Sequence, residues 1–363
     1  MTTPHLDRID SIRGLAIFLV FAFHTLIIIF PGLEIKNFDE NGFLEFSSLK
    51  VMLLYFNPLG QGALGVDLFL VISGFLIHLI HLRSGTELNL HIFFSKRFWR
   101  IYPPYLLTLL FFFVLNFDLS AQGIKNIVSH VLLVHNLTDN TFYTINPSFW
   151  SIALECQLYL IYPLYLLILK RTGAVNALLI VTGINIVFSS IGHFTGINSL
   201  AYGTFALKFW VIWCAGAFLA DRFHNKKRIF NNPVLWLILS YLIFCVFKSW
   251  FITSRFILIP ATLTCVALME MILYYKNPEG VIYKMIMKPL AFFGLISYSV
   301  YLIHQPGLGF LISFFNPGTS YQSLNTITGV LLSSTLILLI SYVLYRIVEL
   351  KSIAFGQQLR SKV

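Results

Sequence analysis

Apolar runs of near-constant length, parted by short polar stretches, set the pattern of this chain. Runs close to a membrane span recur at 11–30, 62–80, 101–117, 149–168, 174–191, 205–220, 233–249, 256–275, 290–313 and 324–346. A span of bilayer core takes about 20 such residues in a helix. A further stretch, 123–137, is too short and too broken to count as a span. The first run is too long for the apolar core of a signal peptide, and no small-residue cleavage site follows, so it reads as a retained helix. The pattern predicts an all-α, polytopic membrane protein.

Charge orients the spans. With the N-terminus inside and 123–137 not crossing, about nineteen of the 25 basic residues fall on the inner side. They include Arg8, Arg83, Lys170, Arg171, the group Arg222, Lys226, Lys227 and Arg228, and Lys276, Arg346 and Lys362. Only Lys36, Lys50, Lys125, Lys208, Lys248 and Arg255 fall outside. Letting 123–137 cross would flip every later loop and erase the bias. The expectation is therefore about ten spans with both termini cytoplasmic. The 118–148 region becomes an outer excursion with a re-entrant or interfacial helix near 123–137. Residues 1–363 read as a single transmembrane domain with no fused extracytoplasmic domain. No inverted repeat of the transporter kind is visible.

Composition agrees: 57% of the 363 residues are hydrophobic and 11% charged, where a globular domain carries about a quarter charged. The net charge of +10 does not point to nucleic acid, because the charges lie between apolar segments. Cys156, Cys214, Cys245 and Cys265 lie far apart in apolar runs and fit no metal or redox spacing. No metal site is expected.

Ionisable groups inside the spans carry the candidate chemistry, since such groups are costly in a bilayer. Arg13 and His24 are eleven residues apart on the first span, close to three turns, and so share a helix face with a rise of about 16 Å between them. His24 lies about 9 Å below the outer end. Asp67, Glu155 and His304 fall in the outer halves of their own spans, at roughly the depth of His24. A shared level suggests one polar cavity opening outward. Each group also has a plain reading: a packed histidine, a snorkelling arginine, a capping aspartate. Glu155 is hardest to explain that way, because a carboxylate there needs a partner. His78 and Glu270 lie nearer inner ends, and structural roles suit both.

A second group is FFSKRFWRIYPPY, 93–105. Lys96, Arg97 and Arg100 precede a Pro-Pro pair, and the two arginines share a helix face. Guanidinium forks bind phosphate oxygens bidentately. Ordinary inner-side anchoring explains the same charges, and Arg13 at the same level favours the functional reading.

These residues resemble the acyltransferase-3 family of integral-membrane O-acyltransferases. LDRIDSIRGLAIFLVFAFH is similar to its opening Arg–ten residues–His signature, here Arg13 and His24. GVDLFLVISGFLI, 65–77, resembles its second-helix motif, with Asp67, Ser73 and Gly74. KRFWRIYPPY resembles its Arg-x-x-Arg motif, here Arg97 and Arg100. SFWSIALECQLYLIYP, 148–163, matches with Trp150, Ser151, Glu155 and Tyr159, and ISYSVYLIHQP, 296–306, with His304. One departure follows the last span. The family often has Glu-x-Pro there, where this chain reads Glu349-Leu350-Lys351.

The resemblance implies transfer of an acyl group, usually acetyl, from cytoplasmic acetyl-CoA to a hydroxyl of a carbohydrate or glycolipid acceptor at a bacterial inner membrane. His24 is then the base or a transient acyl carrier, and Glu155 or Asp67 orients its ring. His304 donates to the oxyanion or the acceptor. Arg13, Lys96, Arg97 and Arg100 hold the CoA phosphates. Ser73, Trp150, Ser151 and Tyr159 line the substrate. The rival class is a transporter or flippase for a glycan or acylated metabolite.

Overall fold

The computed structural model of the chain describes residues 4–29, 37–39, 43–46, 48–250, 255–275, 280–281, 283–315 and 324–360. Lys36, Lys276 and Lys362 of the charge pattern lie outside the described residues. In chain order the helices are α1 (Pro4–Ile29), α2 (Leu49–Phe56), α3 (Gly62–Ser84), α4 (Leu90–Leu115), α5 (Ala121–Val131), α6 (Asp139–Phe142), α7 (Trp150–Phe194), α8 (Leu200–Gly203), α9 (Ala206–His224), α10 (Pro233–Ser249), α11 (Leu258–Leu273), α12 (Lys288–Leu295), α13 (Ser297–Phe315), α14 (Leu324–Leu344) and α15 (Leu350–Arg360). Two short antiparallel strands, β1 (Asn37–Phe38) and β2 (Leu44–Glu45), pair Asn37 with Glu45 and Phe38 with Leu44.

The helices follow the apolar runs. Six described segments are long and apolar enough to cross a membrane, and α10 and α11 are shorter apolar helices. The run read as one span over 290–313 is bent: α12 and α13 meet at 80°. Hydropathy is continuous through Ile296, so the pattern carries no sign of the bend. The 45 residues of α7 would measure about 68 Å if straight, over twice a bilayer core. They break at Gly173, where φ 80° and ψ 167° leave the helical region. Glycine reaches that conformation without strain. Lys170 and Arg171 lie just before the break, and the runs 149–168 and 174–191 lie on either side of it. The eleven residues of α5 rise about 16 Å, too little to cross.

The chain divides into two compact units. The first comprises Met1–Thr86 and Leu154–Leu295, the second Glu87–Ala153 and Ile296–Val363. Within the first, α3 packs on α9, α1 on both α3 and α12, and α10 on α11. The α3–α9 contact is backbone to backbone. A Cβ on Gly74 would fall on the Trp213 carbonyl, and one on Gly216 on the Val71 carbonyl. Small residues permit such an approach, which in lipid replaces the hydrophobic drive for helix association. Trp213, Tyr162, Tyr165 and Phe75 fill the interior around it.

Within the second unit α13 packs on α14, and α15 on α4. Pro103 and Pro104 lie inside α4. Pro103 has no N–H for the carbonyl of Trp99 four residues earlier. Ser352 of α15 donates its hydroxyl to that carbonyl instead. The Trp99 and Phe355 rings meet edge to face at 4.9 Å. The C-terminal helix is thereby docked beside the arginines of α4.

Candidate active site

In the first unit the candidate groups lie on three helices. Arg13 and His24 both fall on α1, as their spacing predicts. Arg13 Nη1 reaches Asp10 Oδ1 at 3.2 Å, an i, i+3 ion pair with both side chains largely covered. The sequence reading omitted Asp10, although the spacing alone marks it as a neighbour. His24 Nδ1 lies 2.8 Å from the Val20 carbonyl. A carbonyl only accepts, so the neutral ring carries its proton on Nδ1 and its basic lone pair on Nε2. That tautomer is the one a general base needs.

Asp67 is buried on α3. A Cβ on Gly62 would meet the Phe23 ring, and one on Gly65 would meet Val20 and the Ala16 carbonyl. This crossing sets the turn of α1 just before His24 against the turn of α3 just before Asp67. Farther along α3, Ser73 Oγ lies 3.1 Å from Tyr159 Oη, and Tyr159 donates to Glu155 Oε1 at 2.5 Å. Tyrosine has one proton and gives it to the carboxylate, so Ser73 is the donor in the other bond. Ser73, Tyr159 and Glu155 thus form one directed chain, with Ser73 and Tyr159 buried and Glu155 partly exposed. The sequence named all three without linking them. Nothing in the spacing joins residue 73 to residue 159.

His78 and Glu270 behave as structural groups. His78 Nδ1 lies 3.1 Å from Tyr162 Oη. Glu270, wholly buried, accepts the backbone N–H groups of Ile229 and Phe230 at 2.7 and 2.9 Å, and so braces the basic loop after α9. Carboxylate bonds to backbone N–H groups are of the strong, charge-assisted kind.

The second unit holds Lys96, Arg97, Arg100, Trp150, Ser151 and His304. Lys96 is exposed, and Arg97 and Arg100 are partly exposed on one face of α4. The Arg97 guanidinium lies 5.9 Å from the centre of the Phe93 ring. Trp150 stacks on Phe142 at 6.0 Å. Ser151 Oγ lies 2.5 Å from Tyr301 Oη, and Tyr301 Oη lies 3.1 Å from the Ser148 carbonyl, to which it donates. Ser148 Oγ donates to Gln305 Oε1 at 2.6 Å. His304 is wholly buried, with Nδ1 2.8 Å from the Tyr301 carbonyl, so this ring too has its lone pair on Nε2. Glu349, on a π-helical turn Tyr345–Glu349, is buried and accepts Ser299 Oγ at 2.8 Å. The sequence reading missed Tyr301, Gln305 and the Glu349–Ser299 pair. Ser299, Tyr301 and Gln305 all lie within the late motif, 296–306, and Glu349 was named at the departure after the last span, but nothing in the spacing pairs them.

The 118–148 region contains a further pair. His130 and His135 stack at 3.8 Å with ring planes 7° apart, and both are wholly buried. His130 Nδ1 donates to the Asn126 carbonyl at 2.8 Å. Neither nitrogen of His135 makes a well-aligned hydrogen bond, the Phe149 backbone offering only a partial one. Burial pushes His130 down to about 4. Burial and the neighbouring His130 push His135 down to about 3. The rings are parallel, so their lone pairs do not converge on a common metal position.

The chain is similar to the O-acetyltransferase OatA of Staphylococcus aureus, 30% identical over 326 residues that cover 79% of this chain and 52% of that protein. It is similar also to the peptidoglycan O-acetyltransferase OatA of Listeria monocytogenes, 27% identical over 337 residues that cover 83% of this chain and 49% of that protein. The chain spans about half the length of these relatives. No solved structure matches it. The acyltransferase domain family matches residues 6–346, a stretch that contains every candidate residue from Arg13 to His304. On this match the chain belongs to the acyltransferase-3 family.

Proposed function

We propose that the protein is a membrane-bound O-acetyltransferase. It moves an acetyl group from cytoplasmic acetyl-CoA to a hydroxyl of a cell-surface glycan, of which peptidoglycan is the class that a relative's name supplies. The observation that carries this reading is His24: a neutral imidazole held at Nδ1 by the Val20 carbonyl, on the same helix as the Arg13 cation. In the direct route the acceptor oxygen bonds to the acetyl carbonyl carbon and the C–S bond of the thioester breaks. The hydroxyl proton moves to His24 Nε2 and on to the departing CoA thiolate. His24 serving as a transient acyl carrier divides the same balance into two steps.

A carboxylate stabilises the imidazolium as it forms. Glu155, oriented by Tyr159 and Ser73, takes that role in this reading. Asp67, one turn beyond the α1–α3 crossing, is the second candidate. His304, whose Nδ1–H is held by the Tyr301 carbonyl, serves as donor to the oxyanion or acceptor from Nε2 as the imidazolium. Trp150 and Ser151 line the acceptor. Arg13, Lys96, Arg97 and Arg100 are the phosphate-binding cations for CoA.

The proposed topology has ten spans in a bacterial inner membrane, with both termini cytoplasmic. It takes the two halves of α7 as separate spans, the bent α12–α13 pair as one, and the short helices α10 and α11 as crossings. The test is release of CoA thiol from acetyl-CoA in proteoliposomes supplied with peptidoglycan fragments. Wild-type protein releases thiol and acetylates the fragments, and His24→Ala does neither. Fragment transport without thiol release would overturn the reading.

A further inference from the structure

The segments Asn146–Ser151 and Tyr301–Pro306 of the second unit are stitched together, and the stitching starts at a proline. Pro306 lies inside α13 and has no N–H to return to the carbonyl of Leu302 four residues earlier. That carbonyl accepts Asn146 Nδ2 at 2.9 Å. The other end of the same amide is used as well. Asn146 Oδ1 accepts the Ser148 N–H at 3.0 Å and caps the 3-10 turn Pro147–Phe149. Asn146 is wholly buried, so both bonds are made where an unmade one costs most.

The chain is bent to deliver this amide. Ile145, immediately before it, has φ 63°, a left-handed conformation that a β-branched residue rarely adopts. Strain of this kind persists only where the surroundings over-determine it. Alongside run the Ser148–Gln305 and Tyr301–Ser148 bonds and the Ser151–Tyr301 contact. His304 lies between Leu302 and Pro306, in the turn that lost its own hydrogen bond. Ser352 at the Trp99 carbonyl, orphaned by Pro103, repeats the device on α4.

We infer that Asn146 is a positioning residue for acetyl transfer. Its clasp on the Leu302 carbonyl fixes the turn that aims His304, and its cap on Ser148 sets the approach of Trp150 and Ser151. The inference rests on the acetyl-transfer reading above. An amide suits the place because one end must donate to a carbonyl while the other accepts from an N–H. A role in aiming acts on kcat. The arginines proposed to bind CoA lie on α4, so KM for acetyl-CoA is spared.

Two variants separate aiming from simple stability. Asn146→Ser keeps a good N-cap for the Pro147 turn but is too short for the clasp. Pro306→Ala in the same chain returns an N–H to the Leu302 carbonyl from within α13, which removes the burial penalty without tying the segments together. Purified full-length proteins are compared by melting temperature and by kcat and KM for acetyl-CoA in the thiol-release assay. Asn146→Ser is expected to lose about tenfold in kcat, in line with one hydrogen bond, with KM within twofold of wild type and a lowered melting temperature. The double variant is expected to regain the melting temperature and not kcat. Recovery of kcat together with stability would make the clasp merely structural and overturn the inference. So would wild-type kcat in Asn146→Ser. A double variant that regains neither property would refute Leu302 as the point that matters. A wild-type protein that releases no thiol would remove the acetyl-transfer reading itself, a result distinct from equal turnover in wild type and variant.

Discussion

Replacing Tyr159 by Phe removes one oxygen from the middle of a three-member chain. Tyr159 donates to Glu155 at 2.5 Å and lies 3.1 Å from Ser73. The ring is 5% exposed, so the volume is kept and bulk water is poorly placed to substitute. Glu155 loses a hydrogen bond to a charged group, worth about 1.5–3 kcal/mol. If the carboxylate steadies the imidazolium at the moment of transfer, that loss falls on the transition state. At about 1.36 kcal/mol per tenfold it converts to roughly 10- to 150-fold in kcat/KM. Ser73→Ala removes only a neutral bond, about 0.5–1.5 kcal/mol, and should cost roughly 2- to 13-fold. The assay is thiol release from acetyl-CoA in proteoliposomes at matched protein levels. The Tyr159→Phe, Glu155→Gln double variant should lose little more than Glu155→Gln alone, as residues acting as one unit do. Wild-type kcat/KM in Tyr159→Phe would refute the chain as working machinery. Losses that simply add would place Glu155 in acceptor binding.

His24→Ala should abolish transfer at normal protein levels, and residual activity above a few per cent would end its catalytic assignment; Glu155→Gln should cut transfer severely while leaving a rate that thiol release still measures. Arg97→Ala and Arg100→Ala should weaken acetyl-CoA binding, measured by calorimetry, and be partly rescued by high acetyl-CoA; unchanged binding in both would leave them as inner-side anchors. Stability should fall with acid in a window set by His130 and His135, held down to about 4 and about 3 by burial. Unfolded, both titrate near 6.5 and bind protons that the folded state refuses, so their contribution is complete above that pH, falls as pH drops, and levels off below about 3. His135→Phe, which forfeits no well-aligned bond, should flatten the fall in melting temperature between pH 7 and pH 5; an unchanged slope counts against the pair. In the proposed topology a single cysteine at 197 is labelled from outside and one at 227 is not, and the reverse pattern would sink it.

The helices were legible because a bilayer leaves the backbone so few options. An apolar run of span length must satisfy its own N–H and C=O groups, which makes hydropathy nearly sufficient. The same reasoning placed a boundary between 168 and 174, where Lys170 and Arg171 precede the break at Gly173. It could not find the bend between α12 and α13, because neither charge nor proline marks Ile296. The candidate residues were legible as costly groups in the wrong solvent. Their partners were not, except where helix periodicity supplies them, as for Asp10 beside Arg13 or Glu155 beside Tyr159.

Proline lies between these cases. A proline in a membrane helix is readable from sequence as an orphaned carbonyl four residues back, and that carbonyl must find a donor because lipid offers none. Sequence therefore predicts a demand at Trp99 from Pro103 and at Leu302 from Pro306. It does not name the supplier. Ser352 lies 253 residues from Trp99, and Asn146 lies 156 residues from Leu302. In both places the supplier ties a distant segment to a helix bearing candidate residues: α15 to the helix of Arg97 and Arg100, the Asn146 turn to the helix of His304. A weakness in one helix becomes the point at which another segment is fixed. The residues that meet such demands are ordinary Ser and Asn side chains, invisible to any search for acids, bases and cations. Positioning residues in this unit are thus best sought opposite its prolines.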